Sequence, residues 1–273
     1  MPWGGHIVGP MSDSATYLRA LLEWQVELGA TEAICDAPLN RFEAPAAPVS
    51  LTRPASTAPS PSGGAAAIVM QPHDGPDPVA QARTAAAQAD DLAELRAAMA
   101  AFDGCELKKG ARNLVFADGI PGAPVMIIGD SPGRNEDAAG KPFIGQAGQL
   151  LDRMFAAIGM GREMAGSPIY ITNILPWQPP GNRDPEPEEI AMMMPFVERH
   201  IELVAPKVLV AMGNVSCLAL LGKKGITRLR GTWDTALGLP VLPMFHPAYL
   251  LRNPAAKRDA WHDLLQLQAK LRG

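Results

Sequence analysis

The chain has 273 residues, 47% of them hydrophobic and 19% charged, with a formal net charge of −4. That length suits one large domain or one domain with an extension, and no apolar run approaches the roughly 20 residues a membrane-spanning helix needs. Three cysteines at unrelated spacings argue against a disulfide scaffold, and the Met1-Pro-Trp-Gly-Gly-His start lacks the features of a secretion signal, so a soluble cytoplasmic protein without membrane attachment is expected.

The charge is unevenly placed. Residues 1–101 hold five basic and eleven acidic side chains, whereas residues 102–273 hold nineteen and seventeen. The larger, C-terminal part is mildly basic, which permits nucleic-acid binding without requiring it.

Residues 15–34 place Leu18, Leu21, Leu22, Val26 and Leu28 near helical spacing, which predicts an amphipathic helix within an N-terminal segment 1–43. Residues 44–78 are dominated by Pro, Ala, Ser, Thr and Gly, a composition that cannot bury enough apolar surface to offset chain entropy. A disordered linker is expected there, followed by a helical lead-in over 79–104 with one Ala-rich helix at 79–101. From residue 105 to the end, four short apolar runs (125–128, 169–172, 208–211 and 241–244) alternate with helical stretches at 146–158, 188–204, 215–221 and 257–271. This alternation predicts an α/β fold: a three-layer α/β/α domain over 105–273 with a central four-stranded parallel sheet.

Ligands of open parallel sheets bind beyond the carboxyl ends of the strands. Gly129-Asp130-Ser131-Pro132-Gly133 follows the first run, Asn173 the second, Gly213-Asn214 the third and Phe245-His246-Pro247 the fourth. An acid, an amide and an imidazole therefore share one crevice. The Gly129–Gly133 turn fits neither the dinucleotide fingerprint nor the Lys-bearing phosphate loop, which argues against nucleotide hydrolysis and dinucleotide redox chemistry.

Five segments occur in order: Gly129-Asp130-Ser131-Pro132-Gly133, Gly140-Lys141-Pro142-Phe143-Ile144-Gly145, Tyr170-Ile171-Thr172-Asn173, Pro179-Pro180-Gly181-Asn182-Arg183 and His246-Pro247-Ala248-Tyr249-Leu250-Leu251-Arg252. Together they resemble the family 4 uracil-DNA glycosylases from about residue 105 to the C-terminus; residues before 100 are outside the resemblance. The resemblance implies a monomeric DNA-repair enzyme that flips deoxyuridine out of DNA and hydrolyses the uracil N-glycosidic bond, starting base excision repair.

Under that resemblance Asp130, where the family usually has Glu, orients water and stabilises the sugar cation, and His246 donates to uracil O2. Asn173 pairs with N3–H and O4, Phe143 stacks on the base, and Gly129 and Ser131 complete the uracil pocket. Leu250 wedges into the vacated stack and Arg252 approaches the backbone, with Lys223, Lys224, Arg228 and Arg230 as a basic cluster for phosphates. Ordinary alternatives exist for each: a carboxylate capping a turn, a structural His beside Pro, a strand-end Asn, a core Phe, an apolar helix start and a solvated basic face.

The family usually carries an iron–sulfur cluster on four cysteines. Here those positions fall at Phe102, Cys105, Trp177 and Met193. One thiolate cannot hold a cubane cluster, so no metal and no cluster are expected, with the three bulky side chains filling its space. A covalent-trapping variant of the family carries a nucleophilic His after the second-strand motif; residues 178–199 contain no His, and trapping is not expected. Two further readings stay open: a non-catalytic uracil- or damaged-DNA-binding protein, and recruitment of a repair or replication protein through the N-terminal helix.

Overall fold

The computed structural model describes residues 77–272. The helix expected at 15–34 and all but the end of the 44–78 linker lie outside the described residues. Asp77 accepts from the Val79 N–H at 2.9 Å, and Pro78 takes the first helical position, where a missing N–H leaves nothing unpaired.

Two helices, α1 (Pro78–Ala87) and α2 (Leu92–Ala101), replace the single helix expected at 79–101. The break has a local cause. Asp91 is extended and its carboxylate accepts from the N–H groups of Ala93 and Glu94, both at 2.8 Å, while Glu94 accepts from the Asp90 N–H at 2.7 Å. Such side-chain capping starts a new helix rather than continuing an old one.

Six strands form one sheet: β1 (Asp118–Gly119), β2 (Val125–Gly129), β3 (Ile169–Asn173), β4 (Val208–Met212), β5 (Asp234–Ala236) and β6 (Leu239–Met244), in the order β1-β3-β2-β4-β6-β5. The four central strands pair in parallel, as expected. The sheet is wider than the expected four because β1 and β5 add antiparallel edges. These edges span only two and three residues, too few for an alternating pattern to register. The turn from β5 to β6 is Leu237-Gly238, with φ of 51° and 76°. Positive φ at both central residues matches hairpin twist, yet Leu is not the residue that announces such a turn.

Every residue of β2, β3 and β4 is buried, which is why those segments read as continuous apolar runs. Around the sheet lie α3 (Leu107–Gly110), α4 (Arg134–Ala139), α5 (Gln146–Ala156), α6 (Pro187–Val204), α7 (Asn214–Leu221), α8 (Ile226–Leu229), α9 (Pro247–Arg252) and α10 (Lys257–Arg272). The four longest of these match the expected helices; α3, α4, α8 and α9 are one or two turns each and left no periodicity to read.

The core has two parts joined by α6. Ile190, Val197 and Ile201 of that helix pack into the main cluster on the sheet. Met193 and Phe196, from its other face, pack with Leu95, Met99, Phe102 and Trp177 beneath α1 and α2. A buried polar pair also sits against α6: the Tyr170 hydroxyl and His200 Nε2 are 2.9 Å apart, and burial pushes the His200 pKa down to about 3, so the ring is neutral.

The C-terminal helix is tied to the sheet by charge. Arg230 donates through Nε to Asp263 Oδ2 at 2.9 Å and also through Nη2 to Oδ1, and the Asp263 side chain is wholly buried. Arg230→Met leaves that carboxylate buried without its partner, and a loss of about 3 kcal/mol is expected. Urea unfolding of the variant beside wild type measures it.

Candidate active site

The carboxyl ends of the parallel strands converge as the sequence predicts. Gly129 closes β2 directly opposite Asn173, the last residue of β3. The pairing continues past the strand ends, with Ile174 N–H donating to Gly129 O at 2.9 Å and Leu175 N–H to Asp130 O at 3.1 Å. A Cβ on Gly129 would collide with Asn173 Oδ1 and lie 2.6 Å from the Phe143 ring. Only glycine lets the amide and the aromatic ring approach the same point on the sheet.

Phe143 itself adopts φ 53°, a left-handed conformation costing a non-glycine residue roughly 1–2 kcal/mol. Its ring stacks on His246, with centroids 5.2 Å apart and planes 27° apart. His246 caps α9, and its Nδ1 accepts from the Ala248 N–H at 3.2 Å. Burial, with help from Arg252, pushes the His246 pKa down to about 4. The ring is therefore neutral, and with Nδ1 accepting, its one proton sits on Nε2.

Asp130, Ser131 and His246 line a cavity of about 490 Å³, together with Asp184, Lys224 and Arg252. Burial raises the Asp130 pKa to about 6, against opposing hydrogen bonds from the start of α7. Ser216 N–H, in the first turn of that helix, donates to Asp130 Oδ1 at 2.8 Å. A side chain at Gly213 would strike the Asp130 carboxylate, and its φ of 121° suits glycine besides. The ordinary reading of Asp130 as a cap thus holds in a modified form: it caps the helix after β4 rather than its own turn, and still faces the cavity. Ser216, completely buried, had no signal in the sequence.

Residues 116–265 match the family model described as the Uracil DNA glycosylase superfamily. The Type-4 uracil-DNA glycosylase of Sulfurisphaera tokodaii is 34% identical over 189 residues, covering 66% of this chain and 84% of that one. That of Saccharolobus solfataricus is 37% identical over 177 residues, 61% of this chain and 80% of the relative. The Thermotoga maritima protein of the same name is 40% identical over 152 residues, 55% and 77% of the two chains. The chain belongs to the uracil-DNA glycosylase superfamily.

Against that family pattern, some expected contacts are placed elsewhere. Leu250, read as the wedge of a glycosylase, is fully buried in the main core, so in this conformation it cannot enter a duplex. Apolar periodicity on α9 turns Leu250 inward and leaves Leu251 37% exposed. Of the basic cluster, Arg230 is committed to Asp263, and Lys223 Nζ pairs with Asp234 Oδ2 at 2.5 Å. Arg228 is exposed but does not line the cavity. Lys224 and Arg252 are the members of the predicted DNA-binding set that do.

The four positions where glycosylases of family 4 carry cluster ligands do come together. Phe102, Cys105, Trp177 and Met193 are all buried in the apolar cluster beneath α1 and α2, and Phe102 packs edge-on against Phe196 at 5.4 Å. This donor set does not fit an iron–sulfur cluster: it offers one thiol, whose pKa burial raises, and no second thiolate.

Two outcomes are expected. Gly129→Ala forces Asn173 and Phe143 apart and should weaken uracil-analogue binding at least about tenfold while circular dichroism stays native-like. A raised carboxylate pKa means the folded state holds its proton more tightly, so Asp130 favours folding at low pH and loses that contribution as pH rises through about 6. Asp130→Asn should accordingly melt higher than wild type above that pH, by a stability of about 2 kcal/mol, and the gap should close towards pH ~4. Thermal melts across that range check the sign.

Proposed function

We propose that this protein is a uracil-DNA glycosylase that hydrolyses the N-glycosidic bond of a flipped deoxyuridine and starts base excision repair. The observation that carries the reading is the meeting of Asn173 and Phe143 at the side-chain-free Gly129, with neutral His246 stacked on Phe143 and, like Asp130, on the cavity wall. Uracil offers a π-face, an N3–H donor and carbonyl acceptors at O2 and O4. Phe143 provides the stacking surface, and the Asn173 amide supplies one acceptor for N3–H and one donor for O4. Cytosine, with a donor at the O4 position and no N3–H, mismatches both.

Bond heterolysis places negative charge on O2 and positive charge on the sugar. A donor that is neutral before reaction and aimed at O2 stabilises the first without paying for a competing charge in the ground state. His246, with its proton on Nε2, is that donor. Asp130 is ionised above about pH 6, and in that form orients water and faces the sugar cation. Arg252 and Lys224, on the cavity wall, meet the flanking phosphates.

The same reading has the enzyme work as a cytoplasmic monomer without the iron–sulfur cluster. Phe102, Trp177 and Met193 fill the space apolarly, and no residue assigned to the reaction lies among them. Purified protein should be colourless, with negligible iron; broad visible absorbance with stoichiometric iron would falsify that part. Residues 1–43 are assigned to engaging a repair or replication protein.

A second reading, a non-catalytic reader of uracil in DNA, is favoured by one observation: the short Asp130 carboxylate is partly occupied by Ser216. Release of uracil from a single-uracil duplex decides between them. Wild type should release it with an acid limb near pH 6, and both Asp130→Asn and His246→Ala should be slower by at least about a hundredfold. Absence of release by wild type, with tighter binding to uracil DNA than to the thymine control, would establish the reader.

A further inference from the structure

Phe143 is held in place by a side chain that no sequence motif marked. Arg162 lies in the connection between α5 and β3, with its side chain only 13% exposed. Its guanidinium donates to two successive main-chain carbonyls of the Phe143 loop, Pro142 O at 3.1 Å and Phe143 O at 2.9 Å. The same group is fixed from behind by two carboxylates, Asp152 on α5 at 2.9 Å and Asp118 on β1 at 2.9 Å. All of its directed hydrogen-bonding capacity is turned on one loop and its supports, an arrangement that the single, rotatable ammonium of lysine cannot reproduce.

The loop is gripped from its other end as well. Glu136 on α4 accepts from the N–H groups of Ile144 and Gly145, at 3.0 and 2.9 Å, through one carboxylate oxygen. A cation thus holds the carbonyls before and at Phe143, and an anion holds the amides just after it. Between these grips sits the left-handed φ of Phe143, a conformation that persists only where its surroundings enforce it. Released, the residue would turn to negative φ and carry its ring away from Gly129 and His246.

We propose that Arg162 is the positioning residue of the pyrimidine slot: by clamping the carbonyls of Pro142 and Phe143, it keeps the Phe143 ring where a flipped base must stack. Arg162 does not line the cavity and touches no reacting atom in this assignment; it acts through Phe143. The inference rests on the glycosylase reading of the site and adds to it the residue that sets base recognition.

The test compares binding of the full-length protein to two duplexes, one carrying 2′-fluoroarabino-deoxyuridine, which resists cleavage, and one carrying a tetrahydrofuran abasic analogue at the same position. Only the first has a base to stack. Arg162→Gln should reduce the preference for the uracil analogue by about tenfold or more, with abasic-DNA affinity within about twofold of wild type. Arg162→Lys should recover little of it. In the background of Phe143→Ala, Arg162→Gln should change the preference no further, since both act on one ring.

If Arg162→Gln fails to fold, Asp152→Ala takes its place. That aspartate side chain is about half exposed, and its loss slackens the guanidinium without removing it, so an intermediate loss of the same preference is expected. An unchanged preference in soluble Arg162 or Asp152 variants, or equal losses on both duplexes, overturns the assignment while leaving the glycosylase reading intact. A wild-type protein that neither releases uracil nor prefers the analogue overturns both.

Discussion

Gly129 faces Asn173 across the β2–β3 pair, and the absence of a side chain at that one position lets an amide and an aromatic ring occupy the same corner of the sheet. Register fixes the rest. Because β3, β2, β4 and β6 run parallel, their carboxyl ends fall along one edge, and whatever follows each strand is delivered to a common crevice. A slip of one residue in β2 against β3 would exchange the side chains on its two covered faces and move Gly129 away from the amide. Every residue of β2 and β3 is packed in the core, so the stability of the sheet and the geometry of the site have the same origin.

Around that corner, burial acts in opposite chemical directions on two titratable groups. It raises Asp130 to about 6 and lowers His246 to about 4, disfavouring charge in both. Because the ordinary values bracket these shifts from opposite sides, near neutral pH the acid is still an anion and the base is wholly neutral. One environment thus holds an anion and an uncharged imidazole side by side, the pair of protonation states that the proposed hydrolysis needs. The α7 amides matter here: hydrogen bonds from the start of that helix keep Asp130 from rising further, so the residue's role as a cap and its ionised state are one interaction.

Much of this was legible because it is carried by long apolar runs and by residue order. The four parallel strands follow from apolar runs of four residues, the four longest helices of the sheet domain from longer periodic stretches, and the placing of Asp130 and His246 on one cavity from their positions just after strands β2 and β6. What escaped was either short or distant in sequence. Edge strands of two and three residues carry no periodicity, and the left-handed Leu237 hides the hairpin that joins β5 to β6. The split of the lead-in helix was visible in Asp91, an N-cap residue masked by the alanines around it. Arg230 and Lys223 look alike in sequence to Lys224, and only the carboxylates of Asp263 and Asp234, contributed from elsewhere in the fold, separate structural cations from those at the cavity. Leu250 and Leu251 differ by one residue, a rotation of 100° on a helix, which decides core against solvent.

The segment 178–190 shows how one wall of the cavity is held. It supplies Asn182, Arg183 and Asp184 to the cavity wall, and it is fastened at both ends in the same apolar cluster, by Trp177 before it and Met193 just after it. Between these points Arg183 grips Glu189 with two hydrogen bonds, at 2.9 and 2.5 Å, and Glu189 also accepts from the Glu186 N–H at 2.8 Å. Burial alone would raise the Glu189 pKa, but the bonds from Arg183 and Glu186 outweigh it and hold the carboxyl below its usual range. The wall is therefore set by close packing at its ends and by a paired charge at its middle. Loosening either the packed ends or the Arg183–Glu189 pair between them moves Asn182, Arg183 and Asp184 together.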